Sequence, residues 1–256
     1  RFGSGKTLTA LEQAIRIANH NKKSIAANIQ INPLFLLAYC RKFKFKWLAS
    51  QLERELICRK KVYSVRRRQL QSGLPLMPVP PWRSVVFERD IAKLLDRENA
   101  VIIIDEGATA IFSRDFQRND RKFLIDRMVR VRHYKCRIFI VSQNDDQIDK
   151  QFRLCLNNIV YCDSFVMRDK LVVRRSFLFD NLTYEEFQER YMGRLIAPLT
   201  KSGFRFIFRP LGLIRFVTKP REDYLFKVYD SFDSFEPGKR PLFYVPFDET
   251  RLSVQF

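Results

Sequence analysis

Near the start of the chain, Gly3-Ser4-Gly5-Lys6-Thr7 sets two glycines, a lysine and a hydroxyl side by side. A phosphate cradle needs that set. Successive backbone N–H groups wrap the phosphates, the lysine bridges the terminal ones and the hydroxyl holds Mg²⁺. The full pattern, GxxxxGK[ST], puts its first glycine one residue before Arg1, so the sequence begins inside the loop. A Gly-Lys-Thr alone reads equally well as a capped helix start built on Gly5 and Thr7. An acid on a neighbouring strand decides between the two, because the metal of a P-loop NTPase requires one.

The stretch VIIIDE, residues 101–106, is that element. Asp105 at the strand end would lie close to the metal and its waters, and Glu106 would polarise the water that attacks the γ-phosphate. By itself an acidic pair after a strand also serves as a helix cap. A third element is Gln143, which closes RIFIVSQ at a strand end, where open α/β sheets place their ligands. There it would sense the γ-phosphate and orient water, or else act as a turn residue. The nucleotide set is then Gly3, Ser4, Gly5, Lys6, Thr7 and Thr9, with Thr7 and Asp105 as metal ligands, ATP as the nucleotide and Mg²⁺ as the ion. Charge growing on the transferred phosphoryl group calls for an arginine, often from a neighbouring subunit. Arg130, Arg132 and Arg153 are the candidates, with Arg132 and Arg153 flanking the Gln143 strand; each could instead sit on a solvated helix face.

The elements that must position these residues follow from periodicity. Leu8, Leu11, Ala14, Ile15 and Ala18 recur at helical spacing directly after the loop, and the asparagines and lysines from Asn19 end the helix. SIAANIQI, residues 24–31, reads as a buried strand stopped by Asn32-Pro33. Residues 34–68 read as mostly helical and strongly basic. LPLMPVPPW, residues 74–82, cannot continue a helix and reads as a linker or surface loop. Residues 88–97 return to helical spacing, and 100–104 form a short apolar run expected to be a central parallel strand. Residues 116–132 read as a charged amphipathic helix, 137–141 as a second buried strand, and 158–162 as a repeat of the strand pattern. Past Asp163, FVMRDKLVVRRSFLF alternates and turns at Arg168-Asp169, which predicts a β-hairpin. A short helix is expected near residues 184–191.

These elements predict an α/β, RecA-like P-loop NTPase with a mostly parallel central sheet. Its first strand is expected to lie outside the chain, so that the chain would hydrolyse ATP poorly, and a β-containing extension follows at the C-terminus. The ATPase domain is expected over 1–163, with a basic helical and Pro-rich insertion at about 34–84, and the extension over 164–256. At 256 residues and 46% hydrophobic content the chain is long enough for a sizeable core.

The net charge of +19 points to polyanionic partners, either nucleic acid or an anionic membrane face. Residues 41–68 interleave Phe43, Phe45, Trp47 and Tyr63 with clustered cations. That combination could grip a backbone and stack bases, or the aromatics could serve the core and the cations the wet face. Five cysteines form no CxxC pair, which argues against a zinc knuckle or a closed disulfide framework and for a reducing setting. Cys136, Cys155 and Cys162 read as small core residues, and His133 as a structural histidine. No uncharged apolar run reaches the ~18 residues a spanning helix requires; residues 203–217 come nearest and are interrupted by Arg205, Arg209 and Arg215.

The succession VIIIDE, RHY at 132–134, IFIVSQ at 138–143 and QIDKQFR at 147–153 resembles the zonula occludens toxin (Zot)-like ATPases of filamentous phages, in the FtsK/HerA branch of P-loop motors. YDSF at 229–232 is similar to the tyrosine-containing segment after their ATPase domain. The resemblance implies a RecA-like sheet, ATP and Mg²⁺, a homo-oligomeric ring, and a role in extruding or packaging phage single-stranded DNA. It implies partners among DNA and phage coat proteins, and a place on the cytoplasmic side of the host inner membrane, peripheral or anchored by a segment not in this chain. Two departures stand out. Lys135 and Arg137 occupy positions where the family usually has Gly and Asp, and no transmembrane helix is evident within the chain. A nucleotide-dependent assembly scaffold with little turnover, and a packaging ATPase of a tailless double-stranded DNA virus, are the alternative functions.

Overall fold

The computed structural model describes residues 5–106, 118–143, 148, 150–156, 158–167, 170–180, 186, 214–218, 225 and 228. The chain divides into two units, one of residues 1–9, 106–130 and 141–222, the other of residues 10–105, 131–140 and 223–256.

The second unit is built on a four-stranded sheet whose strands are all parallel. These are β1 (Ser24–Ala27), β2 (Val85–Phe87), β3 (Ala100–Ile104) and β4 (Arg137–Ile140), in the order β2-β1-β3-β4. All five residues of β3 are buried, as expected for a central strand covered on both faces. Helix α1 (Lys6–Asn21) buries Leu11, Ala14, Ile15 and Ala18, the stripe that the spacing predicts. The expected strand over 24–31 is shorter and ends at Ala27, where the Asn28 side chain takes over the bonding to the end of β3.

The mostly helical, basic stretch expected over 34–68 holds two helices, α2 (Pro33–Lys42) and α3 (Lys46–Gln71), packed on each other. They part at Lys44, whose φ of +61° no helix tolerates. Asn32 caps α2, accepting from the N–H groups of Leu34 and Phe35. The N-terminus of α3 has no cap of its own. Asn19 at the end of α1 supplies one, its Oδ1 accepting from the N–H groups of Trp47 at 3.0 Å and Leu48 at 3.2 Å. Phe43 and Phe45 gather on Tyr39 with ring centroids 4.5 and 6.0 Å away, so these two aromatics serve packing. The Pro-rich segment returns along α3 into β2. Asp90 then caps α4 (Ile91–Leu95), which packs against β3.

In the first unit, α5 (Arg118–Val129) contacts α6 (Lys150–Leu154), with Leu124, Met128 and Phe152 buried. A separate antiparallel sheet runs in the order β5-β6-β7, from β5 (Asn158–Met167), β6 (Lys170–Asp180) and β7 (Ile214–Thr218). Met167 pairs with Lys170, so β5 and β6 form the predicted hairpin, with Arg168 and Asp169 themselves outside the described residues, and the register shifts once between Phe165 and Val166. Residues 158–162 therefore do not repeat the parallel pattern; they open the antiparallel hairpin, and Val160 is exposed. Of the helix expected near 184–191 only Glu186 falls among the described residues, and it is helical. No helix among the described residues is long and apolar enough to cross a membrane.

Candidate nucleotide site

Gly5 has φ +74°, the left-handed region that glycine adopts without a Cβ penalty, and α1 starts at the next residue. Gly3 and Ser4 lie outside the described residues. The first N–H groups of a helix have no partner within it, and the macrodipole makes that end a place for anions. No acidic residue in the first turn of α1 opposes such a charge. Lys6 and Thr7, at the head of the helix, are half-buried. Thr9 is buried, and its hydroxyl donates to the Gly5 carbonyl at 2.8 Å beside its own N–H at 2.9 Å. Two bonds on one carbonyl thus tie the glycine turn to the helix, and the Thr9 hydroxyl is engaged with the loop's own backbone.

At the end of β3, Asp105 is half-buried and Glu106 exposed. The Asn28 side chain donates to the Asp105 carbonyl at 2.9 Å and accepts from the Asp105 N–H at 2.7 Å, while the Asn28 N–H reaches the Ile103 carbonyl at 3.2 Å. A side-chain amide here replaces a strand's ladder bonds, so both the N–H and the carbonyl of Asp105 are held after β1 has ended. The next residue, Glu106, has φ +49°, sparsely populated for a residue with a side chain. The reciprocal amide pair was not legible beforehand. An asparagine four residues into an apolar run is a weak signal, and only strand pairing brings it beside Asp105.

The neighbouring strand ends level with β3, Ile104 being paired with Ile140. Gln143 follows three residues beyond β4 and is exposed. Of the arginines, Arg130 is engaged with Asp126 at 2.9 Å on one face of α5. Arg132 is exposed in the turn over 131–135 that precedes β4, and Arg153 is half-buried on α6. His133 is exposed in the same turn. The five cysteines are free; Cys40 is the buried one, whereas Cys136, Cys155 and Cys162 are half-buried.

No group of three or more His, Cys, Asp or Glu gathers among the described residues to form a metal cage. One hydroxyl and one carboxylate, both hard oxygen donors, are what Mg²⁺ takes when phosphates and water supply its remaining ligands. Thr7 and Asp105 are donors of those two types.

A family model described as zonular occludens toxin (Zot) matches residues 1–175. Among solved structures, the chain is similar to the N-terminal domain of zonular occludens toxin from Neisseria meningitidis, at 12% identity and a TM-score of 0.41, over 90% of this chain and 95% of that one. No curated protein matches.

Proposed function

Because the chain belongs to the zonular occludens toxin (Zot) family, we propose that it is a P-loop ATPase that drives assembly and extrusion of phage single-stranded DNA virions. The sheet register carries this reading: two adjacent parallel strands end level, one in Asp105-Glu106 and the other three residues before Gln143. Ligands of open α/β sheets bind at such carboxyl ends.

In this reading Lys6 and the N–H groups at the head of α1 hold the phosphates, while Thr7 and Asp105 hold Mg²⁺. When bound, the ion would supply charge neutralisation on the nucleotide's phosphates. Glu106 accepts a proton from the attacking water, and Gln143 orients that water against the γ-phosphate. Asn28 and Thr9 act as positioning residues, one beneath Asp105 and the other on the glycine turn. Arg132 or Arg153 reaches a neighbouring subunit's nucleotide in a homo-oligomeric ring. The ring works at the cytoplasmic face of the host inner membrane, on DNA and coat protein.

Hydrolysis of Mg²⁺-ATP by the full-length protein, compared with Glu106→Gln, tests the motor. The expected result is turnover in the wild type and a loss of about 10²-fold or more in the variant, in keeping with removal of a general base. Equal, slow hydrolysis by both would leave a nucleotide-dependent scaffold and end the motor reading.

A further inference from the structure

Helix α3 has two unlike halves. Leu48, Ala49 and Leu52 are buried, whereas no α3 side chain beyond Arg59 is. At about 1.5 Å per residue the helix is ~39 Å long, so its second half forms an arm. The chain that returns along it is tied at the arm's base. There Glu55 accepts from the N–H groups of Arg83 and Ser84 and from the Ser84 hydroxyl. Arg59 lies 4.9 Å from the Trp82 ring centroid and donates to the Pro80 carbonyl.

The far end is also built. Gly73, at φ +66°, turns the chain, the Leu74 N–H bonds the Gln69 carbonyl at 3.0 Å, and the Met77 N–H bonds the Gln69 side chain at 2.9 Å. That hydrogen-bonded tip presents apolar side chains to solvent: Leu70 is 69% exposed, Leu74 58%, Met77 47% and Leu76 42%. Behind it stand Lys60, Lys61, Arg66, Arg67 and Arg68, and no Asp or Glu occurs between Glu55 and Glu88. Cations in the last turns suit the helix dipole, but that does not account for four exposed aliphatic side chains.

We propose that this tip docks the protein on an anionic lipid bilayer, the aliphatic residues entering the acyl boundary and the arginines reaching lipid phosphates. Aliphatic tip, cationic collar and absence of acids together match an anionic interface. Single-stranded nucleic acid fits less well, since bases stack on aromatic rings and Tyr63 is the arm's one aromatic residue between Arg59 and Trp82. The inference is independent of the nucleotide site.

The test is sedimentation of this chain with vesicles of phosphatidylglycerol or of phosphatidylcholine. The chain should partition onto the anionic vesicles only. Leu70→Ser/Leu74→Ser/Met77→Ser should lose about tenfold or more in partitioning, with an unchanged unfolding temperature. The difference should persist at about 1 M salt, where charge is screened within ~3 Å. Arg66→Gln/Arg67→Gln/Arg68→Gln should lose on the order of 100-fold, at about fivefold per cation near the surface. Partitioning of the triple-serine variant equal to wild type would overturn the proposal. So would a variant that keeps its vesicle binding and instead loses affinity for an oligothymidine or loses self-association.

Discussion

The end of β3 and the end of α3 are both fixed by polar bonds, yet they present opposite chemistry. At β3 the Asn28 amide, one residue past β1, clamps the backbone under Asp105, so a carboxylate is held at the rim of a buried sheet. At α3, Gln69 and Gly73 fix a turn whose side chains are apolar and bare. Neither arrangement serves burial. A rigid backbone beneath an unusual side chain is what a site requires when the side chain must meet something other than the protein.

The contrast can be broken in several places. The largest effect is expected from the arginines. A trans-acting arginine is worth about 10³–10⁵ in turnover, so of Arg132→Ala and Arg153→Ala one should abolish hydrolysis and the other leave it nearly intact. Asn28→Ala strips both partners from the Asp105 backbone. It should cost about 1–3 kcal/mol of stability and lower turnover as well, read by denaturant unfolding and steady-state hydrolysis. Leu74→Ser at the α3 tip should change stability by no more than about 0.5 kcal/mol. If Asn28→Ala and Leu74→Ser behave alike in unfolding, the distinction drawn between the two ends is wrong. Asn19→Ala removes the cap that α1 lends to α3 and should cost about 1 kcal/mol, detectable as a shift in the denaturation midpoint.

The last effect is a matter of pH and vanishes near neutrality. Burial pushes the Cys40 thiol from its usual 9.0 up to about 12, whereas Cys58 on α3 is exposed. The folded state therefore keeps a proton on Cys40 that the unfolded chain releases. Its contribution is complete below pH 9 and is lost as pH rises from about 9 towards 12. A thiol reagent at mildly alkaline pH should label Cys58 early and Cys40 only on unfolding.

Much of the sheet was legible because a central parallel strand is apolar on both faces, so AVIII could be little else, and because the spacing of Leu11, Ala14, Ile15 and Ala18 is that of one helix face. The hairpin was legible from its turn dipeptide. Three features were not. Strand β2 is three residues long and follows a Pro-rich segment, too short for any period to register. The break at Lys44 lies between two basic, aromatic segments whose composition does not change across it. Residues 158–162 are apolar enough to pass for a parallel strand, and only pairing with β6 shows otherwise. In the candidate site, the loop residues and the acids could be picked out because their types are tied to phosphate and metal chemistry. Asn28 could not, since its role exists only once β1 and β3 are side by side.

The most direct test of the account is the Mg²⁺ dependence of ATP affinity, measured by equilibrium titration of the full-length protein and of Asp105→Asn. The account predicts that Mg²⁺ strengthens binding to the wild type, and that the variant loses this gain while matching the wild type in the presence of a chelator. An unchanged gain in Asp105→Asn would contradict the assignment of β3 as the metal-bearing strand.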